Sequence, residues 1–156
     1  MAKAKAVLPT CLAFAICDTV IEDLITRNKS LINMFNGILA ENVPALHDKL
    51  CVFVALTGAR GQVPVRLRLC YDPEYEKDLL APFGINHTVQ FPPNQPEAVI
   101  DMVFVIRALR FPHFGNYTFE ILCEDVPLIA RRFKVQRPAP GMPLVPPPAD
   151  SDPRDA

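Results

Sequence analysis

The stretch Val63-Pro64-Val65-Arg66-Leu67-Arg68-Leu69-Cys70-Tyr71 decides how the rest of the chain is read. Valine, leucine and tyrosine at every second position alternate with proline, arginine and cysteine. A period of two places one set of side chains on a buried face and the other on an outward face, which is the signature of a half-buried strand. Immediately upstream, Leu50 to Leu56 is continuously apolar, and Thr57-Gly58-Ala59-Arg60-Gly61 separates the two runs with turn-forming glycines. The spacing predicts a hairpin.

Working outward, Val99 to Leu109 carries Ile100, Met102, Phe104 and Ile106 on one face, and Phe111-Pro112-His113-Phe114-Gly115-Asn116 reads as a turn. Tyr117, Phe119, Ile121 and Cys123 alternate again, Glu124-Asp125 turns the chain, and a last strand ends at Phe133-Lys134-Val135. These are expected to be three successive antiparallel strands. Upstream, Thr10 to Val20 and Ser30 to Leu39 read as two further strands, while Asp72 to Pro96 reads as loop with one or two short strands. About seven or eight strands with frequent turns point to a single antiparallel two-sheet β-sandwich, immunoglobulin-like or C2-like, over residues 6–136.

Composition sets bounds on this domain. A chain of 156 residues, half of them hydrophobic and with a mean hydropathy of +0.17, builds one core. The formal net charge is -1 and the pI is about 6.3, so no overall field draws the chain to nucleic acid or to an anionic membrane. The five cysteines, Cys11, Cys17, Cys51, Cys70 and Cys123, are odd in number, lack CxxC spacing and sit inside apolar runs, which favours reduced packing residues and a cytoplasmic setting. Lys3 and Lys5 precede an apolar run from Ala6 to Cys17 that imitates a signal peptide, but Pro9 and Thr10 interrupt it and the run reads better as a buried first strand. No apolar stretch is long enough to span a bilayer. After Gln136 the sequence turns proline-rich, and residues 137–156 are expected to be a disordered or polyproline II tail. Within it, Arg137-Pro138-Ala139-Pro140-Gly141-Met142-Pro143 fits an SH3-type docking pattern, although a flexible spacer is the simpler reading.

The run Ile16-Cys17-Asp18-x-Val20-x-Glu22-Asp23, then Thr26, Ser30-Leu31-Ile32 and Phe35, with the later Phe111-Pro112-x-x-Gly115-x-Tyr117-x-Phe119 and a closing Val135, resembles a family of small uncharacterised bacterial β-sandwich proteins. The resemblance spans the body of the chain but not the tail. It departs from the family pattern at Arg27, Asn28 and Asn33. It implies a fold and no activity.

No residues converge on a catalytic pattern. His47, His87 and His113 lie at turns while the cysteines lie in strands, and there is no nucleophile elbow, HExxH motif or phosphate loop. A structural zinc site would need ligand pairs that are not present, and no cofactor is expected. Two surface features remain. Arg66 and Arg68, joined by Arg107, Arg131 and Arg132 from strands that could neighbour theirs, would assemble a basic strip able to meet an acidic partner. Asp18, Glu22 and Asp23 crowd one edge and offer hard oxygen ligands to calcium, against the plainer reading of solvated turn residues. The chain is therefore expected to be a non-enzymatic binding or assembly module with a protein partner or a second copy of itself, with calcium or small-ligand binding as the alternative.

Overall fold

The computed structural model describes residues 7–81 and 85–142. Among these, nine strands form two sheets. The first contains β1 (Thr10–Glu22), β2 (Lys29–Met34), β4 (Ala45–Thr57) and β7 (Ile100–Phe111), in the order β2-β1-β4-β7. The second contains β3 (Gly37–Leu39), β5 (Gly61–Tyr71), β6 (Asn86–Phe91), β8 (Gly115–Cys123) and β9 (Val126–Gln136), in the order β3-β9-β8-β5-β6. This second sheet is curled into a half-barrel. A short 3-10 turn, Asp72–Glu74, leaves the end of β5.

Alternation accounts for the core. Phe14 and Ile16, then Leu50, Val52, Val54 and Leu56, then Phe104 and Ile106 point inward from the first sheet, and they meet Val63, Val65, Leu67, Leu69, Phe119 and Phe133 of the second in one cluster. Each such side chain removed from water contributes on the order of 1.5–3 kcal/mol. One end is closed by aromatic rings: Phe111 meets Tyr117 edge-on at 5.1 Å and Phe133 at 5.7 Å, while Phe119 stacks on Phe133 at 5.2 Å.

The expected hairpin between Leu50–Leu56 and Val63–Tyr71 does not form. Both edges of β4 are occupied, by β1 and by β7, so β5 has no edge to pair with and crosses to the other sheet. The connection is pinned rather than looped out. Gly58 and Gly61 take φ of +83° and +72°, Ala59 is fully buried, and the Gly58 amide donates to the Pro96 carbonyl at 3.1 Å. The three strands expected to follow one another are divided in the same way, because β7 belongs to the first sheet and only β8 and β9 form a hairpin. Its turn residues Glu124 and Asp125 both have positive φ, 49° and 64°, as a two-residue primed turn requires.

The expectation of a wholly antiparallel structure also fails, since β3 runs parallel to β9. Gly37 lies so close there that a Cβ would sit 3.2 Å from the Lys134 carbonyl oxygen. Tyr117, at the start of β8, reaches back to His113. Its hydroxyl donates to the His113 carbonyl at 2.8 Å and accepts from the His113 amide at 3.0 Å, which fixes the corner between the sheets. The stretch expected to form a buried first strand is a strand from Thr10 onward but is buried only at Phe14–Cys17, with Leu12 exposed, and the tail beyond Met142 lies outside the described residues, as does Ala6.

A candidate docking arm

β1 is longer than its pairing with β4. Register with β4 ends at Cys17 opposite Cys51, while β1 continues with β2 alone to Glu22 opposite Lys29, making a two-stranded arm. Lys29, at the far end of this arm, meets Asp101 at 3.5 Å. Asp101 is registered with Ala55, four residues along β4 from Cys51 in the direction away from the arm's root. A straight ribbon could not reach it, at about 3.3 Å per residue. The arm therefore doubles back across the outer face of the four-stranded sheet.

That outer face is apolar. Ala15, Cys17, Cys51 and Ala55 are buried yet stand outside the core cluster, and Phe53 and Val103 between them are half-buried. On the arm, the cross-strand pair Val20 and Leu31 is half-buried along with Lys29, whereas Ile21, Ile32 and Met34 on the opposite side face solvent.

The tip is held tightly although it is exposed. Asp23 Oδ1 accepts from the amides of Ile25 and Thr26, each at 2.8 Å, the Arg27 amide donates to the Asp23 carbonyl at 2.9 Å, and Arg27 pairs with Glu22 at 3.2 Å. The amide bonds from Thr26 and Ile25 hold the Asp23 carboxyl below its ordinary pKa. On this fixed turn Leu24 is 83 % exposed and Ile25 93 % exposed. The sequence reading singled out the acidic residues here and passed over the adjacent Leu-Ile pair; an apolar pair between turn residues was the available signal.

The five arginines do not assemble into one strip. Arg107 lies on β7 in the other sheet, registered with Lys49. Arg131 lies on the inward side of β9 and donates to the Phe14 carbonyl at 3.0 Å and to Asn36, bridging the sheets. Arg66, Arg68 and Arg132 do share the outer face of the five-stranded sheet, each against acid. Arg66 stands between Asp78 and Asp125 at 3.7 and 3.8 Å, and Arg132 pairs with Asp72 at 2.8 Å. Arg68 lies 3.9 Å from Glu120, which is 4 % exposed, and its guanidinium covers the Tyr75 ring at 4.8 Å while the Tyr75 hydroxyl donates to Glu120. A cleft of about 240 Å³ at the β8–β9 turn is lined in part by Arg66, His87 and Asp125.

The three acidic candidates for calcium are also separated in their contacts. Asp18 accepts from Asn33, Glu22 from Arg27, and Asp23 from its own turn. Among the described residues no group of three His, Cys, Asp or Glu side chains comes together as a metal site. All five cysteines are free, and burial raises the Cys70 thiol to about 11. No helix among the described residues is long and apolar enough to cross a membrane.

Fold and site together define an all-β domain of two sheets over one core, with a capped apolar arm as its most distinctive surface. The chain belongs to a family of unknown function, DUF6941, whose model matches residues 12–136. No curated protein matches it.

Proposed function

We propose that the chain is a non-enzymatic protein-binding module that docks through the β1–β2 arm, with Leu24 and Ile25 as the anchor. The observation that carries this reading is the combination of near-complete exposure and tight local bonding at those two residues. A large apolar side chain held rigidly in water costs solvation in the free protein and little ordering on binding, which is the profile of an interface anchor. Ile21, Ile32 and Met34 extend the apolar surface along the arm. At the tip Glu22 is matched by Arg27 and the Asp23 carboxylate is taken up by the amides of its own turn, so the occupant is a partner protein with an apolar pocket. A membrane surface is disfavoured by the lack of a cationic excess, since the net charge is -1.

For the architecture, we read the two sheets as an immunoglobulin-like rather than a C2-like sandwich. Support comes from the order of the strands, from β3 running parallel to the last strand β9, and from the tyrosine at the sheet corner. Reduced cysteines fit a reducing compartment.

The test compares wild type with Leu24→Asp and Ile25→Asp for partners captured at fixed concentration and identified by crosslinking. Substitution at such exposed sites leaves the melting temperature unchanged to within about 0.5 kcal/mol of stability. Each variant should lose capture at least tenfold. Equal capture by all three proteins would sink the reading, and a concentration-dependent dimer lost in both variants would replace the partner protein by a second copy.

A further inference from the structure

Cys17 and Cys51 are register partners on the adjacent antiparallel strands β1 and β4. Both belong to the outward set of their strands, since Ile16, Leu50 and Val52 beside them point into the core. Side chains directly opposite in such a pair have Cβ atoms about 4.5–5.5 Å apart, and a disulfide spans about 3.5–4.5 Å, so closure needs an approach of roughly 1 Å. Each sulfur also bonds a backbone carbonyl of β1 just beyond Cys17. Cys51 Sγ donates to the Asp18 carbonyl at 3.6 Å and Cys17 Sγ to the next carbonyl, Thr19, at 3.5 Å. The other three cysteines lack this arrangement: Cys11 is opposite Leu56, Cys70 opposite Thr118, and Cys123 opposite Val65 and Val126.

We propose that Cys17 and Cys51 are a dithiol–disulfide site at the root of the arm, oxidised by a small-molecule disulfide of the glutathione class. One cysteine, as thiolate, attacks the small disulfide, forms a mixed disulfide and expels one equivalent of thiolate. The second cysteine then attacks the protein sulfur of that mixed disulfide and expels the other equivalent. Two protein thiols are oxidised to one disulfide, and one small disulfide is reduced to two thiols, which take up the two protons. Both protein thiols are buried beneath the doubled-back arm, so reaction waits on the arm lifting. Burial first, and then the neighbouring Cys51, raise the Cys17 thiol above its ordinary pKa, so the exchange is slow near neutral pH and accelerates as pH rises. The closed link would tie β1 to β4 at the last residue they share. This inference stands independently of what the arm binds.

The experiment equilibrates the purified full chain with glutathione buffers from fully reduced to fully oxidised, quenches with an alkylating agent, and maps peptides by mass. The expected product has lost two hydrogen atoms in a crosslinked Cys17–Cys51 peptide pair, its yield rising with the oxidised fraction and returning to zero with dithiothreitol. In Cys51→Ala that product is absent and Cys17 ends as thiol or mixed disulfide. Cys17 and Cys51 both recovered as alkylated thiols from the most oxidising buffer would overturn the proposal. So would a link that joins either of them to Cys11, Cys70 or Cys123 instead.

Discussion

On the five-stranded sheet the outward residues of β5 and β8 include Arg66, Arg68, Thr118 and Glu120, and the chain covers them with its own segment after β5, where Tyr75 bonds Glu120 and Asp72 bonds Thr118. On the four-stranded sheet the equivalent positions are Ala15, Cys17, Cys51, Phe53 and Ala55, and the cover is a ribbon that crosses back and is tied at its far end by one ion pair. The first cover is held by directional polar bonds to groups that cannot be left unpaired. The second lies over a mostly apolar face, and its polar ties are Lys29 to Asp101 and a bond that Lys49 Nζ donates to Thr19 Oγ1 at 3.1 Å. The first cover is therefore expected to open less readily than the second.

The largest test of that contrast is at Glu120. It is 4 % exposed and sits against Arg68, whose side chain is itself mostly buried, so Glu120→Ala leaves the guanidinium over the Tyr75 ring without its counter-charge. A loss of about 3 kcal/mol in urea unfolding is expected, in line with one partner removed from a buried pair. The double variant Arg68→Met with Glu120→Leu should recover most of it, because no charge is then stranded. A Glu120→Ala variant as stable as wild type would show that this cover, too, is loosely held.

Much of this was legible in the sequence where two faces differ in polarity. The alternation at Val63–Tyr71 and Tyr117–Cys123 gave strands, inward residues and the β8–β9 turn correctly. Pairing was less legible, because a run with apolar residues on both faces, such as Leu50–Leu56, marks a strand covered on both sides without saying which neighbours flank it. Glycine-bearing connections serve hairpins and sheet crossings alike, and only occupation of both edges of β4 decides between them. The arginine strip failed for a related reason. Sequence gives the face on which a residue lies only once its sheet is known, and it gives no sign of the acids Asp72, Asp78 and Glu120 arriving opposite Arg132, Arg66 and Arg68.

A smaller effect is expected where the arm is tied down. Lys29→Ala removes the contact with Asp101, a partly exposed pair worth about 0.2–1 kcal/mol. Global stability should therefore change little, while amide exchange in β2 and at Val20 and Leu31 rises several-fold, since only local opening has become easier. Exchange unchanged in the arm, or raised equally over β5 and β8, would remove the distinction between the two covers.

The smallest effect is confined to the arm's tip. The Asp23 carboxyl titrates below its ordinary value of 3.8 because the Thr26 and Ile25 amides bond its charged form. A carboxyl whose pKa is lower folded than unfolded adds stability that is complete above the unfolded value and is lost as pH falls through the folded one. The Ile25 and Thr26 amide resonances should thus hold steady down to about pH 4 and shift only below it. Asp23→Asn keeps an acceptor oxygen for the turn but has no charge to titrate, so its amides should show no such transition. Global unfolding should change only slightly on the substitution, because the turn is exposed and its residues lie outside the core cluster. A transition in Asp23→Asn at the same pH would assign the titration to another group, and the rigid presentation of Leu24 and Ile25 would then need a different source.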